Sequence, residues 1–79
     1  MPTIYRQGPY RFFFYSNEND EPPHVHVKNG SGGEAKFWLE PILLQSAKGF
    51  GKGELTSVQA IIEERKESFL EAWNEYFSF

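Results

Sequence analysis

Two segments in which apolar and polar residues alternate, His24 to Lys28 and Glu34 to Leu39, most strongly constrain how this chain can fold. They flank the loop Asn29-Gly30-Ser31-Gly32-Gly33, which consists of residues common in turns. Alternation with a period of two is typical of a half-buried strand, and two such strands around a short glycine-rich loop are typical of a β-hairpin. The pattern therefore predicts an antiparallel pair whose two faces differ in chemistry.

The loop length predicts the register of this hairpin, with Lys28 opposite Glu34 and the other pairs counted outward from there. Residues directly opposite one another in an antiparallel pair share a face of the sheet. One face then carries Val25, Val27, Ala35 and Phe37. The other carries His24, His26, Lys28, Glu34, Lys36 and Trp38. We predict that the apolar face packs on the core and the polar face is uncovered, because a one-residue slip would bury both histidines and a lysine.

Further strands are predicted on both sides of the hairpin. Thr3 to Arg6 and Tyr10 to Tyr15 flank a Gln7-Gly8-Pro9 turn, and Ile42 to Leu44 is a short edge strand. In the second strand, the residues predicted to face the core are Tyr10, Phe12 and Phe14. Those predicted to lie on the uncovered face with the histidines are Arg11, Phe13 and Tyr15.

The hydrophobic period changes from Glu54 onward. Apolar residues recur there at three- and four-residue steps, and charged residues fill the opposite face. This spacing predicts one amphipathic helix of about six turns over residues 54–77. The chain is then a single α+β domain over residues 1–79, in which an antiparallel sheet of three to five strands within about residues 3–45 packs on one long C-terminal helix.

Composition narrows the class of protein. The 79 residues include no cysteine, which excludes disulfides and thiolate chemistry, and 18% are aromatic, which favours a surface for association. No apolar run approaches the roughly 20 residues of a membrane span and the N-terminus lacks the apolar segment of a signal peptide, so we expect a cytoplasmic protein. The net charge of −3 divides into +1 for residues 1–53 (six basic, five acidic) and −4 for residues 54–79 (two basic, six acidic).

Four segments of the sequence resemble a small prokaryotic family catalogued as domain of unknown function 4160. They are Met1 to Val27, which contains Pro-Pro-His-Val-His-Val, and then GEAKFWLEP, KGFGKGEL and FLEAWNEYF. The resemblance spans nearly the whole chain and implies no established reaction. It does imply a gene neighbour from a second small family (domain of unknown function 2442), in an arrangement similar to toxin–antitoxin modules, and hence a cognate protein partner.

The histidine-bearing face is the first candidate for a chemical site. His24 and His26 can transfer protons at neutral pH, and Lys36 is the third catalytic candidate. The residues that would bind phosphate or stack on bases are Arg11, Phe13, Tyr15, Lys28 and Trp38. A broad similarity to HicA-type toxins, in which a histidine-bearing sheet packs with a helix, favours an RNA-binding protein or a metal-independent ribonuclease. Whether the protein is an enzyme stays open.

His-x-His on a strand also places two imidazoles on one face, which is a common start for a zinc or iron site. A further ligand would come from Glu34, Asp20 or Glu18, but none of these carboxylates stands at a recognised motif spacing. We therefore expect no cofactor, and metal binding through His24, His26 and Glu34 remains an alternative.

Association with another protein accounts for more of the sequence than either kind of chemistry. An uncovered aromatic-rich sheet face, an exposed edge strand and an acidic helix suit a homodimer or a complex with a cognate small protein. We therefore predict one component of a toxin–antitoxin-like pair that acts through protein–protein association, with RNA binding or cleavage as the alternative.

Overall fold

The computed structural model describes residues 3–16 and 20–77. Within these ranges five strands form one antiparallel sheet, in which neighbours in sequence are neighbours in space. The strands are β1 (Thr3–Gln7), β2 (Tyr10–Phe13), β3 (His24–Lys28), β4 (Glu34–Leu39) and β5 (Ile42–Lys48). Two helices follow, α1 (Lys52–Glu64) and α2 (Lys66–Tyr76). The α+β class and the antiparallel sheet are thus confirmed, with β3 at the centre of the sheet.

The hairpin of β3 and β4 has the predicted register. The pairs are His24 with Trp38, Val25 with Phe37, His26 with Lys36, Val27 with Ala35 and Lys28 with Glu34. Alternation along both strands and the short loop between them were sufficient to predict these pairs, because a slip of one residue would turn every side chain to the other face.

The outer strands differ from their predicted bounds. β2 ends at Phe13, before the predicted Tyr15, and β5 continues past its predicted end at Leu44 to Lys48. The second half of β5 is polar and carries little local strand signal, so its pairing with β4 makes it a strand. A register shift in this ladder leaves Gln45 as an extra residue on β5. Such a bulge bends a strand and increases its twist.

The prediction of one long C-terminal helix is wrong, because α1 and α2 are separated at Arg65. This residue leaves the helical conformation (φ −110°, ψ 14°), and its N–H donates to the carbonyl oxygens of Ile61 (3.0 Å) and Ile62 (3.2 Å). Its guanidinium lies 4.3 Å from the centre of the Tyr5 ring. Residues 63–68 are all polar and contain no glycine or proline, so the local sequence does not signal the break. Packing on the sheet accounts for it, since both helices bury apolar residues there.

The main core lies between the helices and one face of the sheet. It consists of Phe12, Phe14, Val25, Val27, Ala35, Phe37, Leu39, Val58, Ile62, Phe69 and Trp73. Nearly all of its strand residues are those predicted to face the helix, which confirms this face of the hairpin. Neither helix within the described ranges is long and apolar enough to cross a membrane.

The opposite face of the sheet is more deeply buried than predicted. His24, His26 and Phe13 on this face have exposed fractions of 0%, 6% and 0%. The prediction that the histidines face solvent is therefore wrong. Their cover is provided by large side chains of neighbouring elements, among them the half-buried Tyr15 and Trp38. As a result, β3 is buried on both faces.

Asn29 joins two loops at one end of the sheet to the start of α1. Its buried side-chain oxygen accepts a hydrogen bond from the Gly33 N–H (2.7 Å), and its amide nitrogen donates to the carbonyl oxygen of Gly49 (3.0 Å) and to Glu54 Oε1 (3.3 Å). Glu54 in turn accepts from the Gly51 N–H (3.1 Å) at the beginning of the helix. One side chain therefore holds the β3–β4 loop, the β5–α1 loop and the helix N-terminus together.

We expect Gly33→Ala to lower the free energy of unfolding by about 2 kcal/mol. A Cβ at this position would lie 2.4 Å from the backbone carbonyl oxygen of Gly49, so one of the two loops must move. Gly53→Ala in α1 is the matched control, because a Cβ there meets nothing within 4 Å, and alanine favours a helix over glycine by up to about 1 kcal/mol. Urea denaturation measures both free energies. Equal effects of the two substitutions would contradict the close packing of the loops.

Candidate functional site

His24 begins β3 and is enclosed by three rings. The centre of its imidazole lies 5.1 Å from that of His26, 5.6 Å from that of Trp38 and 4.9 Å from that of Trp73 in α2. Its Nδ1 donates a hydrogen bond to the carbonyl oxygen of Pro22 (3.0 Å). Because a carbonyl oxygen only accepts, this bond places a proton on Nδ1 and sets the orientation of the ring.

His26 lies beside His24 on the same face, between Phe13 at the end of β2 and Tyr15, which stands two residues further along the chain. Phe13 stacks on its imidazole at 5.5 Å between ring centres, and Tyr15 approaches edge-on at 4.5 Å. Glu34 of β4 lies near its polar edge, with Oε2 3.6 Å from Nδ1. That separation is too long for a hydrogen bond, so the carboxylate acts on the imidazole through its charge.

Two carboxylates at the surface flank the histidine pair. Glu21 Oε1 lies 2.6 Å from Lys36 Nζ and 3.7 Å from His24 Nδ1. Glu34 Oε2 accepts a hydrogen bond from the Tyr15 hydroxyl (2.8 Å). Each carboxylate is thus held by a neighbouring polar group and stands beside one imidazole. We call this set the histidine network; its members are His24, His26, Tyr15, Glu21, Glu34 and Lys36.

The remaining predicted site residues lie around this network. Phe13 is fully buried beneath two cations, with the Arg11 guanidinium 4.8 Å and Lys28 Nζ 5.5 Å from the ring centre. It therefore supports the cations and has no free ring face for a base. Trp38 is half-buried, and Lys36 Nζ lies 4.7 Å from its ring centre.

Glu21 and Trp73 contact the histidines but were not predicted to do so. Glu21 lies in the polar connection before β3, and its approach to Lys36 depends on the path of that connection. Trp73 occupies an apolar helix position, which predicts a core residue. The same ring also lies 4.9 Å from His24, a contact for which helix periodicity gives no signal because it depends on where α2 crosses the sheet.

The burial of the imidazoles limits the chemistry of the network. A general acid or base must reach its substrate at hydrogen-bond distance, and neither His24 nor His26 is more than 6% exposed. His26, Glu34 and Lys36 line a cleft beside β5, but so little of either imidazole is exposed that the catalytic roles predicted for His24, His26 and Lys36 would require local opening of the site. In the observed arrangement the rings fill the second face of β3, and the carboxylates complement nearby polar groups.

The predicted metal ligands do not converge in the described part of the chain. Among residues 3–16 and 20–77, no three histidine or carboxylate side chains form a group suited to a metal ion. Nδ1 of His24 is engaged by Pro22, which leaves only Nε2 of that ring as a possible ligand atom. Glu18, a further carboxylate candidate, lies outside the described residues.

Comparison with known protein families shows to which family the chain belongs. The family model described as a domain of unknown function (DUF4160) matches residues 10–74. This chain therefore belongs to that family. The match runs from β2 to near the end of α2 and includes the histidine network. No curated protein and no solved structure matches the chain.

We expect Tyr15→Phe to lower the free energy of unfolding by about 1 kcal/mol, because the Glu34 carboxylate loses its hydroxyl donor while the ring stays on His26. Tyr76→Phe is the matched control. Its hydroxyl belongs to an exposed side chain in α2, and the expected change is within about 0.5 kcal/mol. Chemical denaturation measures both variants. An unchanged stability of the Tyr15 variant would mean that the hydroxyl contributes nothing to the network.

We also expect both histidines to react with diethyl pyrocarbonate at least about tenfold more slowly in the folded protein than in urea, because modification of a buried ring needs local opening. Mass spectrometry of peptides containing His24 and His26 measures the rates. Tyr15→Ala should accelerate modification at His26, whose ring it covers. Reaction of the folded wild-type protein at the rate of the unfolded chain would contradict the burial of this face.

Proposed function

We propose that this member of the DUF4160 family is one component of a toxin–antitoxin-like pair and acts by binding a second small protein through β5. The observation that carries the proposal is the exposure of this edge strand. Six of its seven residues are exposed, among them Leu43 (55%) and Leu44 (44%). An edge strand presents N–H and C=O groups that can pair with another chain, and exposed leucines add apolar area that leaves water on binding.

β5 suits this role better than β1, which forms the other edge. β1 has five residues, and Ile4 and Tyr5 pack against the core. Arg65 at the junction of the helices also lies over the Tyr5 ring. The β1 edge is therefore partly occupied by the protein itself, whereas the side chains of β5 remain open.

The bulge at Gln45 favours a specific partner over indiscriminate association. Bulges bend an edge strand, and proteins use them to prevent unselective pairing at sheet edges. A partner strand must follow this bend to form its ladder. β5 thus fits a cognate segment of matching shape better than an open series of identical copies.

The side chains of β5 define the chemistry of that segment. Leu43 lies opposite Trp38 and shares its face, while Leu44 projects to the other face. Lys48 ends the strand. A partner strand with apolar residues toward both leucines and an acidic residue near Lys48 would complement this edge.

RNA cleavage by His24, His26 and Lys36 has weaker support as a second function. Both imidazoles are buried, and Lys36 is paired with Glu21. RNA binding alone does not need exposed imidazoles and draws its support from the cations on the same face.

We expect Leu43→Lys to weaken binding to the product of the adjacent gene by at least about tenfold. Burial of a leucine contributes about 1.5–3 kcal/mol, and 1.4 kcal/mol corresponds to a factor of ten. Co-expression and co-purification establish the complex, and calorimetric titration measures its affinity.

Ser57→Lys is the matched control, since it adds the same charge at an exposed position of α1. Its affinity should equal that of the wild-type protein. Failure to form any complex at micromolar concentration, or equal affinities of the two variants, would refute the proposal.

A further inference from the structure

Four cations and one carboxylate form a single row across all five strands. Each is the direct partner of the next, in the order Arg6, Arg11, Lys28, Glu34 and Lys48. We call these residues the basic row. Directly paired residues share a face, and the contacts of Arg11 and Lys28 with Phe13 identify it as the face of the histidine network, opposite the helices.

Half of the basic row is electrostatically unfavourable for the isolated protein, since two of its four neighbouring pairs join like charges, whereas Lys28 Nζ lies 4.0 Å from Glu34 Oε1. Like charges directly opposite one another on neighbouring strands destabilise a sheet. Arg6, Arg11 and Lys28 nevertheless form two such pairs in succession. Glu34 is the single acid of the row, and its carboxylate also accepts the Tyr15 hydroxyl. Local rules of this kind are broken chiefly at functional sites, where the charge serves a ligand.

The dimensions of the row indicate an extended anionic ligand. Neighbouring strands lie about 4.8 Å apart, so four spacings separate Arg6 from Lys48 by about 19 Å. One phosphate group can contact only adjacent members of such a row. A chain with regularly repeated negative charges can meet all four cations. The row sums to +3 (four basic, one acidic) although the whole chain carries −3, so the attraction is local to this face.

We propose that the basic row binds the phosphodiester backbone of a single-stranded nucleic acid that crosses the strands. Flat sheets bind single strands through cations that contact phosphates and aromatic rings that stack on bases. Tyr15 lies beside the row, since its hydroxyl donates a hydrogen bond to Glu34. Trp38 lies further along β4 on the same face. Rings beside a line of cations favour a ligand with flat bases over an acidic peptide.

Fluorescence anisotropy with a labelled single-stranded oligonucleotide of about ten nucleotides tests the proposal, with RNA and DNA of the same sequence as two arms. We expect binding in at least one arm, with affinity falling steeply between about 50 and 200 mM salt. Each phosphate contact on a single strand contributes about 0.7 to the slope of log affinity against log salt, so four contacts predict a slope of about −2.8. A preference for RNA would identify the 2′-hydroxyl as part of the recognised chemistry.

The decisive variant combines Arg6→Gln and Lys48→Gln, because both residues are exposed. We expect at least about tenfold weaker binding at low salt and a slope smaller by about 1.4. The matched control combines Lys52→Gln and Lys66→Gln on the helices, which changes the net charge equally, from −3 to −5 in each case (−3 − 2). The control should bind within about twofold of the wild-type protein, since its charges lie off the row.

We expect Glu34→Gln to strengthen binding of the oligonucleotide, a result that a misfolded variant would not give. Glutamine keeps an oxygen for the Tyr15 hydroxyl but removes the negative charge from the row, so affinity should rise by about threefold or more. Three results would overturn the proposal: no salt-dependent binding by the wild-type protein, equal losses in the two double variants, or equal competition by a poly-glutamate peptide of the same charge. The last result would assign the row to an acidic peptide.

Discussion

The rest of this structure depends on the burial of β3 on both of its faces, although the helices pack mainly on one and reach the other through Trp73. Val25 and Val27 pack beneath α1 and α2, while His24 and His26 point the other way and are also removed from solvent. Buried polar rings must be matched by polar groups or the fold loses stability. The Pro22 carbonyl and the carboxylates of the histidine network meet part of that demand. Phe13, Tyr15 and Trp38 supply much of the remaining cover.

This arrangement separates the charges of the molecule. The helices carry most of the acid, whereas the sheet face opposite them carries the basic row and Lys36. An overall charge of −3 therefore conceals a positive surface about five strands wide. The two proposed surfaces meet at Lys48, which belongs both to β5 and to the basic row. A protein added at β5 would lie beside the proposed nucleic-acid track, so the two binding events are physically able to influence one another.

Much of the fold could be predicted from local patterns. The β3–β4 hairpin, its register and its apolar face follow from alternation and loop length, because both act over a few residues. The second half of β5 and the break at Arg65 could not be predicted in this way. Polar residues such as Ser46 adopt a strand conformation only because they pair with β4. The helix is interrupted at Arg65, without a glycine or proline, because two helices must pack on one sheet. Both features depend on contacts between distant segments.

The candidate site, too, could be predicted only in part from the sequence. By itself the sequence determined which residues share a face, since side chains alternate along a strand: His24, His26, Lys36 and Trp38 could be grouped from their spacing alone. Only the tertiary structure decided that the imidazoles are buried, because that depends on Tyr15, two residues past β2, and on Trp73 from α2. It also decided which cations stand in line, since Arg6 and Lys48 join the row only through the registers of β1 and β5. The spacing of residues along a strand specifies the face on which each side chain lies. The exposure of that side chain, and its alignment with residues of other strands, depend on which segments of the chain pack beside it.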